Sequence, residues 1–150
     1  MQLFLLRHGE AEYSLPDVSR PLTALGRQQI STTANSHRAD LADVEIVLSS
    51  QLKRAVQSTD ILVEQIALSC PRQQVDFLAP DGQVREVEQY LQATQDQIIM
   101  MVGHLPLLAV LINYFTGSSD TRMGTASLAS LSFDYPSRGL ATLNWIHYAS

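Results

Sequence analysis

Cysteine is nearly missing from this chain, with Cys70 the one example in 150 residues. No intrachain disulfide can form, which excludes a small disulfide-stapled scaffold and fits a reducing compartment. Cys70 has no partner motif around it and reads as a structural side chain. Lysine is as scarce: Lys53 is the exception among the ten basic residues, and the rest are Arg. Fifteen acidic residues against those ten give a net charge of -5. With no cluster of basic residues, nucleic acid and anionic membrane surfaces are poor partners.

Long apolar runs are also missing, with one apparent exception. Residues 98–119, "IIMMVGHLPLLAVLINYFTGSS", contain no Asp, Glu, Lys or Arg and are long enough to span a bilayer. Yet "GHLP" divides them, and a strand, a loop and a buried helix describe the stretch better. Four apolar residues before Arg7 are too few for a signal peptide. The expected location is the cytoplasm.

What is present describes a globular protein. A hydrophobic content of 45% with 17% charged residues suits a soluble fold, and the length suits one domain over residues 1–150. Short apolar runs at 2–6, 45–49 and 98–102 predict buried strands. Between them lie helical patterns. Thr23 can cap a helix to about residue 38. Leu52, Ala55, Val56, Thr59, Leu62, Val63 and Ile66 fall on one helical face. Shorter helices are expected over 84–93 and after Pro106. The alternation predicts a three-layer α/β domain, its central, mostly parallel sheet flanked by helices on both faces. The last third changes character: the polar loop "GSSDTRMGT" precedes two strand-like segments, 126–134 and 139–147, joined by "YPSRG".

In such a sheet the ligand crevice lies beyond the carboxyl ends of the strands. The first predicted strand leaves Arg7, His8 and Gly9 there. The second is followed by Ser49, Ser50 and, in a helix's first turn, Arg54. The third leaves Gly103 and His104. Helix N-termini at the second and third positions favour an anion. Arg forks and imidazoles at three converging strand ends point to phosphoryl chemistry.

The blocks "RHGEAE", "RPLTALGRQQ", "SSQLKRAVQS" and "GHLP", in that order, resemble the histidine phosphatase superfamily, also known as phosphoglycerate mutase-like. Chain length and spacing are most similar to its bacterial SixA-type phosphohistidine phosphatase branch. The resemblance implies that His8 is a nucleophile that becomes phosphorylated, that Arg7 and Arg54 hold the phosphoryl oxygens, and that His104 donates to the same group. It matches Arg20 to a further phosphate-contacting arginine and requires no metal or other cofactor, while Gly9 and Ser50, at the strand ends, are further candidates for substrate contact. Two departures, Gln51 for Pro and Ser58 for Thr, are mild. The third concerns the general acid, for which "LAPDGQVREVEQYL" offers Asp81 or Glu86 without a clear match. A phosphoramidate needs an acid least, because imidazole leaves with a pKa near 7. Residues 55–103 have room for a helix, a strand and a helix but no covering lid. The expected substrate is therefore a phosphohistidine-bearing protein, such as a phosphotransfer domain, met by a monomer.

Two other readings compete. One is a phosphomonoesterase or mutase on a small phosphorylated metabolite, with Asp81 or Glu86 as acid. The other is a non-catalytic module that recognises phosphorylated partners. A metal site on His8 and His104 is disfavoured, since no Asp or Glu shares their strand-end positions. His37 and His147 read as surface residues, Arg27 and Arg38 as solvated helix charges.

Overall fold

In a computed structural model that describes residues 1–149, the first apolar run forms strand β1 (Gln2–Arg7). Its side chains alternate between two cores. Leu3 and Leu5 join one, Phe4 and Leu6 the other. Strand β2 (Ile46–Ser49) and β4 (Ile98–Gly103) behave alike: Leu48, Ile99 and Met101 face the first core, Val47, Met100 and Val102 the second. Burial on both faces explains why these strands read as unbroken apolar runs.

The sheet order is β3-β2-β4-β1-β5-β6, with β3 at Arg72–Gln74, β5 at Leu128–Ser132 and β6 at Thr142–His147. Strands β1 to β4 run parallel, while β5 pairs antiparallel with both β1 and β6. Helices α4 (Val84–Ala93) and α5 (Leu107–Thr116) cover the first core. The second lies under α1 (Ala24–Ser36), α2 (Arg38–Leu41) and α3 (Lys53–Ile66). The expected three-layer α/β domain is what forms. Residues 98–119 resolve into β4 and α5, and no helix among the described residues is long and apolar enough to cross a membrane.

Some boundaries differ from the sequence pattern. Helix α1 stops at Ser36 because His37 leaves helical geometry (φ -118°, ψ 23°). Its ring stacks on Trp145 at 4.3 Å and its Nδ1 pairs with Asp40 at 2.9 Å, so tertiary contact overrides helix propensity. Strand β3 lacks an apolar signature because all three residues are exposed at the sheet edge. The two final strands are shorter than the patterned segments.

The start of α1 is docked onto the chain leaving β1. Thr23 caps the helix, its hydroxyl accepting the Gly26 N–H at 2.9 Å and donating to Glu10 Oε2 at 3.0 Å. Two glycines permit this approach: a Cβ on Gly26 would press into the Glu10 carbonyl, and one on Gly9 would lie 2.5 Å from the Gly26 carbonyl oxygen. Gly117, at φ 75°, ends α5 with no atom near its missing side chain. We expect Gly26→Ala to destabilise the fold by about 2 kcal/mol or more, because backbone must move. Gly117→Ala should cost only about 1 kcal/mol of backbone strain. Urea unfolding of both variants checks this, and an equal or reversed order would contradict the docking.

Candidate active site

Register builds the site. In the parallel pairing of β1 with β4, Arg7 lies opposite Gly103, so the next residues, His8 and His104, leave the sheet side by side. Ser49 of β2 lies opposite Val102, which brings Ser50 to the same rim. The His8 N–H bonds to the Gly103 carbonyl at 3.1 Å and the Ser50 N–H to the Val102 carbonyl at 3.1 Å, continuing the ladder one step past the strands. The imidazole centroids are 5.0 Å apart. Helix α3 begins at Lys53, with Leu52 as its N-cap, and puts Arg54 in its first turn. His8 (7% exposed), His104 (1%) and Arg54 (4%) are all buried. Arg7 is half-buried, its Nη1 donating to the Met123 carbonyl at 2.9 Å.

The hydrogen bonds specify the state of the nucleophile candidate. His8 Nδ1 lies 2.7 Å from the Gly9 carbonyl oxygen. A carbonyl can only accept, so the proton is on Nδ1 and the lone pair on Nε2. The Gly9 N–H in turn donates to Ser58 Oγ at 3.1 Å, and that hydroxyl donates to the Arg54 carbonyl at 2.8 Å. One chain of bonds thus orients His8 from the helix that carries Arg54. His104 Nε2 lies 2.8 Å from Ser50 Oγ, which also accepts the Leu52 N–H at 3.1 Å.

Three buried nitrogens here, Arg7 Nε, Arg54 Nε and His104 Nδ1, have no partner among the described residues. A buried polar group without a partner costs about 1–3 kcal/mol. Three of them on converging elements mark a place for an oxyanion. The titration of the rings agrees. Burial, helped by the Arg54, Arg7 and Arg20 charges and opposed by the Gly9 hydrogen bond, pushes the His8 pKa down to about 4. Burial, then His8 and Arg54, pushes His104 down to about 3, with Asp17 opposing. Both rings are neutral at pH 7 among guanidinium charges, so the cluster favours an anion and keeps the His8 lone pair free.

The other sequence candidates fall in different places. Ser50 joins the site through His104. Gly9 spends its N–H on Ser58 and its carbonyl on His8, and its missing side chain makes room for α1. Arg20 is held at the rim, with Nε on the Glu12 carbonyl at 2.6 Å, Nη1 on Asp17 Oδ1 at 3.2 Å, and its guanidinium 5.2 Å from the Tyr13 ring centroid. Asp81 is exposed in the turn before α4 and Glu86 is exposed in that helix's first turn. The carboxylate whose charge reaches His104 is Asp17, which no motif singled out. Its Oδ2 lies 3.3 Å from Arg54 Nη2 and its backbone carbonyl accepts from Arg54 Nη1 at 2.9 Å. The only sequence cue was an acid three residues before Arg20.

The family model described as the histidine phosphatase superfamily (branch 1) matches residues 3–78. The chain is 31% identical to the phosphohistidine phosphatase SixA of Escherichia coli (strain K12), covering 97% of this chain and 92% of that protein. The chain belongs to the histidine phosphatase superfamily. Within it, the fold matches the structure of the protein histidine phosphatase SixA complexed with tungstate at a TM-score of 0.92 and 30% identity, covering 99% and 97% of the two chains. A mycobacterial glucosyl-3-phosphoglycerate phosphatase matches at a TM-score of 0.75 and 20% identity over 99% of each chain, a likeness that speaks for the fold alone. The protein is thus a histidine-nucleophile phosphatase of this superfamily.

The lowered ring pKa values make a direct prediction. At pH 6, below the usual histidine value of about 6.5, two-bond proton–nitrogen NMR spectra should find both His8 and His104 neutral. His8 should carry its proton on Nδ1. Imidazolium signals from either ring at pH 6 would contradict the account.

Proposed function

We propose that this histidine phosphatase removes the phosphoryl group from a phosphohistidine carried by another protein, through a phospho-His8 intermediate. Arg7 and Arg54 hold the phosphoryl oxygens and stabilise charge spread over them in the transition state. His8 Nε2 bonds to phosphorus as the substrate's P–N bond breaks, and the electron pair leaves on the substrate imidazole, which takes a proton from solvent. Phospho-His8 keeps its Nδ1 proton on the Gly9 carbonyl, so it is cationic and departs readily in turn. Water then attacks phosphorus, the bond to Nε2 breaks, and orthophosphate leaves with the water's proton shed to solvent. Ser50 Oγ accepts the Leu52 N–H and donates a hydrogen bond to His104 Nε2, so that the proton of the neutral His104 ring sits on Nδ1, ready for a phosphoryl oxygen.

The observation that carries this reading is the kind of acid at the hollow. Hydrogen bonding to Arg20, with the Arg54 charge behind it, holds the Asp17 carboxyl below the usual carboxylate range, so it has no proton to give at neutral pH. Asp81 and Glu86 are solvent-exposed carboxylates on the α4 side. An alkoxide leaving group would need a proton, which Asp81 or Glu86 would have to bring from an exposed position, whereas an imidazole barely needs one. The name of the 31% identical relative points the same way.

The test is turnover of a phosphohistidine protein with alkaline quenching. Wild-type protein should yield an acid-labile, base-stable phosphate mapped to His8, and His8→Ala should lose at least about 10³-fold in rate, as loss of a nucleophile does. Asp81→Ala should change the rate by less than about two-fold, against the 10²-fold or more expected of a general acid. A strong preference for sugar phosphates that vanishes in Asp81→Ala would overturn the reading in favour of a phosphomonoesterase. Anion binding that survives His8→Ala, with no phosphoenzyme in the wild type, would favour a recognition module.

A further inference from the structure

The Arg54 guanidinium already holds an anion, one that belongs to the chain itself. Both of its Nη groups are spent on Asp17: one on the backbone carbonyl at 2.9 Å, the other on Oδ2 at 3.3 Å. The second carboxylate oxygen takes Arg20 Nη1 at 3.2 Å. Asp17 therefore bridges two guanidiniums, as a bound phosphoryl group would.

The segment that carries it is built to let go. Residues 12–21 form a loop closed at its base by the Ala11–Leu22 bridge and by the Glu12 N–H on the Pro21 carbonyl at 2.9 Å. Every residue from Glu12 to Ser19 is exposed, and the short helical turn Asp17–Ser19 buries none of its residues. Its own hydrogen bonds, Ser19 to Pro16 and Arg20 to Asp17, are internal to the loop. The tip is thus tied to the body of the protein by Arg54 rather than by apolar burial. The Arg54 end of this contact is buried while the Asp17 end is more than half exposed, so the tip hangs on one guanidinium and can lift without moving the apolar core.

We propose that Asp17 is a specificity-determining residue: an internal competitor for Arg54 that weakens the hold of the site on free orthophosphate, the product of the reaction. Each anion that uses Arg54 must first displace the Asp17 carboxylate. A phosphoryl group that is part of a larger substrate recovers that cost from its other contacts. Orthophosphate has none and is released. This inference rests on the reading that Arg54 binds the phosphoryl group, and the experiment separates the two.

Isothermal titration of orthophosphate into the full-length protein and its Asp17→Asn, Asp17→Ala and Arg54→Ala variants is the test, with thermal melts to establish that each is folded. Asn keeps the size and the backbone carbonyl contact while removing the charge. Asp17→Asn and Asp17→Ala should bind orthophosphate about five-fold more tightly than the wild type, the size expected of losing one ion-pair competitor whose carboxylate is half exposed. Arg54→Ala should bind it at least about ten-fold more weakly. Unchanged or weaker binding in both Asp17 variants, with Arg54→Ala weakened as expected, would overturn the competitor role and leave the functional reading standing. Unchanged binding in Arg54→Ala would overturn both, because the anion would then lie elsewhere.

Discussion

The in-register parallel pairing of β1 with β4 is the constraint on which the site depends. Arg7 opposite Gly103 makes the two strands stop level, and the following histidines have no choice but to emerge together. Residues on a strand alternate sides, so a slip of one would send a ring to the opposite face. The register is held by the cores on both faces, where Leu3, Leu5, Ile99 and Met101 pack against α4 and α5 and their neighbours against α1 and α3. Apolar packing thereby sets the position of polar chemistry.

Electrostatics follow from that placement. Two imidazoles 5.0 Å apart and buried among guanidiniums cannot hold extra protons, so burial and like charge act in one direction and keep both rings neutral. Neutrality leaves a lone pair on His8, while the Gly9 carbonyl decides which nitrogen carries it. The guanidiniums stay charged because Arg remains protonated throughout the accessible range. The cluster is thus a fixed positive site beside an uncharged nucleophile. That division of labour is what in-line attack on a phosphoryl group asks for.

Much of this was legible in the sequence for a simple reason: strands buried on both faces read as apolar runs, and the residues that end them read as interruptions. Arg7, His8, Ser50, Arg54 and His104 all come together at the rim that the strand ends predicted. The capping role of Thr23 and the buried face of α3 were local signals of the same strength. What was not legible depends on contacts distant in sequence. The break at His37 comes from stacking on Trp145, and β3 is a polar edge strand whose only signature is its pairing with β2. The clearance at Gly9 belongs to the backbone of Gly26, and the direction of Arg20 to Glu12 and Asp17. Asp17 itself could not be weighed until its loop had a shape.

The central claim is that a single anion-sized hollow is bounded by His8, Arg7, Arg54 and His104. Tungstate, which imitates a phosphoryl group and scatters strongly, locates that hollow directly in a crystal measured at a tungsten absorption edge. The account predicts one dominant anomalous peak, in contact with His8 Nε2 and within hydrogen-bond reach of Arg7, Arg54 and His104. A well-occupied peak elsewhere on the protein, with none beside His8, would contradict it.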